Sequence, residues 1–84
     1  MAHNMERKLV RFAKSARKHR IGKAHVLHVL EKYEPTIVLA PETKDSHLLW
    51  TGMDDRGLEL EVVAVMLAEY LLVIHVMPRT FRRR

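Results

Sequence analysis

The sequence contains no cysteine, so neither a disulfide nor a cysteine-based zinc site can hold this chain together. A chain without thiols suits a reducing compartment. No stretch approaches the roughly eighteen consecutive apolar residues of a membrane-spanning helix. The opening MAHNMERKLVRFAKSARKHR has no apolar segment of the kind a secretory signal needs, so a cytoplasmic protein with no membrane contact is expected. Also missing are a glycine-rich phosphate loop, a nucleophile elbow and an HExxH metal motif. At 84 residues the chain is expected to form one domain, 1–84, with a limited core.

Acid is missing from one long segment. Between Arg7 and Lys23 stand eight bases and no carboxylate, whereas Ala24 to Tyr70 holds three bases against nine acids. The last fourteen residues add four arginines and again no acid. Two basic ends therefore flank an acidic middle. Brought together by the fold, they would form one positive surface, the electrostatic footprint of a nucleic-acid binder. An acidic protein partner would suit the same surface.

What is present divides into a helical third and an extended remainder. Leu9, Phe12, Ala13 and Ala16 fall at i, i+3, i+4 and i+7, which predicts a first helix over 5–19. Gly22 is placed to end it. A second helix over 23–33 gathers Val26, Leu30 and Tyr33 on one face, and Pro35 stops it. Strands are predicted over 36–40, 47–53, 58–67 and 71–77, with DDRG before Leu58 as a hairpin turn in which Gly57 takes a positive φ. The expected fold is α+β: two N-terminal helices packed on a four-stranded antiparallel sheet, in the order α-α-β-β-β-β. The last two strands are apolar on both faces, so a face left over from helix packing is expected to meet a partner chain, as a dimer or a hetero-oligomer.

His75 is the first candidate for chemistry. Strict alternation would put it on one face with Val73 and Met77, where it is either a half-buried histidine bonded to backbone or a proton-transfer group. An arginine burst begins four residues later, and imidazole beside guanidinium suits phosphodiester chemistry. The bases of the first third are either a solvated face or a phosphate-binding one. Their lack of interspersed acids favours the second. His25 and His28, three apart, lack a nearby acid to complete a metal site, so no metal and no cofactor is expected. Glu59 and Glu61 share a face in the manner of an ordinary half-exposed strand. Trp50 and Tyr70 serve as packing residues or as rings on which a base could stack.

Three stretches together resemble a family. KHRI (Lys18 to Ile21), the DxxGxxLEV-like run from Asp54 to Val62, and IHVMPR (Ile74 to Arg79) are similar to the small toxins of bacterial toxin–antitoxin modules, the RelE/ParE superfamily, and in particular its BrnT-like members. The resemblance implies a RelE-like fold and a metal-independent endoribonuclease that cleaves mRNA, including ribosome-bound mRNA, and is neutralised by a cognate antitoxin. It places acid–base work on His75 and His19 and phosphate binding on Arg79. Lys18, Arg20, Lys23, Arg82 and Arg83 would contact RNA. Relatives carry a tyrosine or histidine near the C-terminus where this chain has Phe81, which cannot move a proton. ParE-like members inhibit DNA gyrase instead and need no such residue, so a non-catalytic basic binding module is the alternative.

Overall fold

A computed structural model describes residues 9–40 and 45–79. The expected pair of helices on a four-stranded antiparallel sheet does not form. The described residues hold one α-helix and a five-stranded mixed sheet: β1 (Leu9–Phe12), a 3-10 turn (Lys14–Arg17), α1 (Lys23–Lys32), β2 (Thr36–Ala40), β3 (Asp45–Met53), β4 (Glu59–Met66) and β5 (Tyr70–Pro78). The strands lie in the order β1-β5-β4-β3-β2. β1 runs parallel to β5, and the other three pairings are antiparallel.

The first helix fails for reasons of charge and pairing. A helix there would stack Arg11, Lys14, Arg17, Lys18 and Arg20 at spacings of three and four, and each like-charge pair costs about 0.2–0.5 kcal/mol. Val10 and Phe12 also alternate with Arg11, a period of two hidden inside the helical stripe. As a strand, this stretch pairs with the open edge of β5 in the register Val10↔Leu71 and Phe12↔Val73. Val10 and Phe12 then pack on the core while Leu9 stays 61% exposed. Ala13 N–H extends the ladder to the Val73 carbonyl, and the Ser15 hydroxyl donates to the Ile74 carbonyl at 2.6 Å. Ala16 is then buried under the turn.

The remaining elements form close to their expected places. α1 starts at Gly22 without a side-chain cap or an acid in its first turn, so packing rather than local signals must stabilise it. It sets Val26, Val29 and Leu30 against β3 and β4, in a core that holds Leu48 and Trp50 of β3, Leu60, Val62 and Ala64 of β4, and Leu71, Val73 and Val76 of β5. Each of the larger side chains contributes about 1.5–3 kcal/mol by burial. Tyr33 lies flat over Gly52, where a Cβ would come within 2.4 Å of the ring. Only glycine admits that contact.

One irregularity decides which way the last strand faces. Val63 pairs with His75, yet Ala64 pairs with Val73, so Ile74 is an extra residue in β5. A bulge of this kind resets the side-chain alternation. Val73 points into the core, whereas His75 sits opposite Val63 on the other face of the sheet. The expected grouping of His75 with Val73 is therefore corrected: His75 shares its face with Leu72 and Met77.

Candidate functional site

The basic surface is built by the strand and turn that replaced the first helix. Arg11, Lys14, Arg17, Lys18, Arg20 and Lys23 are all exposed, and none belongs to the ion pairs formed among the described residues. Two are held by rings: the Arg11 guanidinium lies 5.0 Å from the centroid of Tyr70, and the Lys23 ammonium 5.4 Å from that of Phe12. Such contacts anchor a cation without neutralising it. Arg20 adopts φ +58°, a left-handed conformation that disfavours residues with a Cβ. His19 beside it is half-buried.

Topology gathers several of these groups at one end of the sheet. Pro78, at the end of β5, pairs with Leu60 next to the β3–β4 turn, and half-buried Arg79 follows it. The first turn of α1 reaches that same turn, because His25 Nδ1 lies 2.6 Å from Asp55 Oδ1. Lys18, His19, Arg20 and Lys23 thus lie in or just after the segment that leads into this end. His75 stands apart. It is four residues short of Arg79, roughly 13 Å along an extended strand at about 3.3 Å per residue, and on the face opposite α1. No described contact joins it to Arg79, Lys18 or His19. Arg82, Arg83 and Phe81 lie outside the described residues.

His75 meets a partner that the sequence reading set aside. Glu61 lies diagonally across the β4–β5 ladder, and its Oε2 is 3.2 Å from His75 Nε2. The Glu61 side chain is 12% exposed and that of His75 37%. Nε2 itself is sealed from solvent, and its contact with the carboxylate has ion-pair distance without hydrogen-bond alignment. The alternation of Glu59 and Glu61 was legible, but the pairing depends on the bulge, which leaves no signal in the residue types.

A second cluster, missed in the sequence, surrounds the DDRG turn. Asp54 is buried: its Oδ1 accepts from the amides of Arg56 (2.8 Å) and Leu58 (3.0 Å), and its Oδ2 from Arg56 Nε (3.0 Å) and a terminal guanidinium nitrogen (2.7 Å). Burial pushes its carboxyl up, but the hydrogen bonds from Arg56 and from the Leu58 and Arg56 amides outweigh that. Together with the Arg56 charge they hold it below the usual carboxylate range. The hydrogen bond with His25 likewise lowers Asp55. Gly57 supplies the expected positive φ, +85°. Asp55 also brings the negative charge that the first turn of α1 lacks, where the helix dipole favours it. His25, Asp54 and Asp55 offer atoms within 4.8 Å of one another, the spacing of a metal site. However, both Asp54 oxygens are already engaged and the Arg56 guanidinium sits on them, which opposes a cation. The trio is an anchor between helix and hairpin.

The result is a small α+β domain with a basic strand-and-turn edge and a carboxylate–histidine pair on the sheet face opposite α1. Comparison with family models, with curated proteins and with solved structures finds no match. No helix among the described residues is long and apolar enough to cross a membrane.

Proposed function

We propose that this protein is an RNA-cleaving toxin of the RelE/ParE kind, BrnT-like, that acts in the cytoplasm and is held in check by a cognate antitoxin. The observation that carries the reading is the run of six exposed bases from Arg11 to Lys23, without an acid among them, of which Arg11, Lys14 and Arg17 stand on β1 and the 3-10 turn beside the strand bearing His75. A surface of that kind binds phosphates, and its attraction is not cancelled locally. RNA would be drawn to the edge formed by β1 and the 3-10 turn. His75 then takes the proton from a ribose 2′-hydroxyl, whose oxygen attacks the adjacent phosphorus; the P–O5′ bond breaks and a proton returns to the leaving O5′, giving a 2′,3′-cyclic phosphate and a 5′-hydroxyl. Arg79, Lys18 and Arg20, which make no described contact with His75, hold flanking phosphates of the RNA. An antitoxin with an acidic segment would cover the same bases, and the exposed apolar residues of the described sheet, such as Leu9 and Met53, offer a second copy or the antitoxin a dry contact.

A second reading is favoured by the placement of His75 across the sheet from α1 and roughly 13 Å along β5 from Arg79. On that reading the domain binds RNA, DNA or an acidic protein, gyrase-directed inhibition included, without cleaving anything. Induced expression in a bacterium separates the two. The nuclease reading expects growth arrest that His75→Ala abolishes while RNA affinity stays within about twofold. Arrest that survives His75→Ala but disappears with Arg17→Glu and Lys18→Glu would establish the binding module instead.

A further inference from the structure

We propose that Arg11 and Tyr70 form a stacking platform for one unpaired base, so that the RNA this domain takes is single-stranded and lies across the sheet face opposite α1. The proposal rests on the nuclease reading and adds to it the substrate class and the place of a nucleotide that flanks the cut.

Three observations carry it. First, the register puts the pair on the face of His75. Arg11 of β1 pairs with Leu72 and Leu9 with Tyr70, so Arg11, Tyr70 and Leu72 share one face of the sheet. Their neighbours Val10, Phe12, Leu71 and Val73 belong to the core on the other. The bulge at Ile74 returns His75 to the face of Leu72. Second, the Arg11 guanidinium lies 5.0 Å from the Tyr70 ring centroid. Arg11 is exposed and Tyr70 half-buried, so the pair meets solvent. Guanidinium planes and aromatic rings are the surfaces on which proteins stack unpaired bases. Third, the Arg11 charge is left for a ligand. Arg11 belongs to none of the ion pairs among the described residues, and neither does exposed Glu69, the acid next to Tyr70 in sequence.

The other ring-held cation does not share this role. Lys23 lies over Phe12, whose ring packs on the core, and an ammonium has no plane on which a base could stack. The platform also selects a single strand, because a base inside a duplex has no free face to offer it. Leu72, level with Arg11, is three residues from His75, roughly 10 Å at most at about 3.3 Å per residue. Tyr70 lies two residues further back. The pair therefore holds a base that flanks the scissile phosphate, and neither side chain moves a proton.

The probe is a short fluorescent RNA with 2′-O-methyl riboses, which binds but has no hydroxyl to attack. Its binding to the purified full chain is followed by anisotropy, both as a single strand and annealed to its complement. Arg11→Lys and Tyr70→Leu should each weaken single-strand binding about 5–100-fold, the range for a lost stacking contact, and leave duplex binding within about twofold. Tyr70→Phe keeps the ring and should bind like the wild type. Arg11→Lys keeps the charge, so the salt dependence should not change. Wild-type affinity in Arg11→Lys, or an equal loss for single strand and duplex, overturns the platform. Buried Trp50 reports by its fluorescence whether each variant folds, and Arg11→Lys alters only an exposed side chain. Unmethylated RNA of the same sequence separates the platform from the nuclease reading. If the stacking dependence is found but the unmethylated RNA stays intact, the platform stands and the nuclease reading falls. If the RNA is cut and neither substitution changes KM, the nuclease reading stands and the platform falls. No binding to either form overturns both and leaves an acidic protein as the partner of the basic edge.

Discussion

Replacing Asp54 by alanine tests whether the β3–β4 turn is held as the structure implies. Asp54 accepts four hydrogen bonds, two from backbone amides and two from the Arg56 guanidinium. Bonds to an ionised group contribute about 1.5–3 kcal/mol each when measured singly, but bonds that share one acceptor are not additive. The Arg56 side chain is 48% exposed, so solvent screens its share. The two amide bonds dominate, and the variant is expected to lose about 3 kcal/mol. For a chain of this size that corresponds to a fall in Tm of very roughly 12–24 °C. Urea denaturation followed by Trp50 fluorescence is the assay, since the chain has one tryptophan and it is fully buried. The pH dependence supplies a second handle. The Asp54 carboxyl is held below the ordinary carboxylate range by its hydrogen bonds, against the opposing effect of burial, so its contribution is complete above the unfolded value and is lost as pH falls through the folded one. The gap between wild type and Asp54→Ala should therefore be widest near neutrality and close in acid. A loss under about 0.5 kcal/mol, or a gap that widens as pH falls, would refute the reasoning.

Other outcomes follow from single contacts. Gly52→Ala should cost about 1–3 kcal/mol, because its Cβ would collide with Tyr33 at 2.4 Å; a neutral result in the same urea assay would show that Tyr33 yields freely. Arg20→Gly should raise stability by about 0.5–1 kcal/mol, since glycine accepts φ +58°. The same change should weaken RNA binding and flatten its salt dependence by about 0.7 in log–log slope if Arg20 contacts a single-stranded phosphate.

The parts of the fold that were legible in the sequence are those set by local chemistry. Pro35 ends α1, DDRG makes the hairpin with Gly57 at positive φ, and the alternation of Leu58 to Val62 gives a strand. The parts that were not legible are those set by a distant neighbour. Residues 9–12 satisfy a helical and an extended pattern at once, and the open edge of β5, some sixty residues away, decides between them. Like-charge spacing in the basic run was a clue against helix that the apolar stripe outweighed. The bulge at Ile74 is the larger omission, because VIHVM reads as unbroken alternation and only the pairing with β4 shows the slip. That slip moved His75 away from Val73 and onto Glu61. For the site, the exposed bases were readable from charge alone. The carboxylate partner of His75 was not, since it depends on register.

The most direct measurement of the central claim is the chemistry of RNA ends. A defined single-stranded RNA is incubated with the purified full chain in the presence of a chelator, and the products are resolved by mass spectrometry. The account predicts fragments ending in 2′,3′-cyclic phosphate and beginning with 5′-hydroxyl, formed by the wild type and lost in His75→Ala with RNA affinity retained. Intact RNA with the wild type, or equal cleavage by His75→Ala, would contradict it.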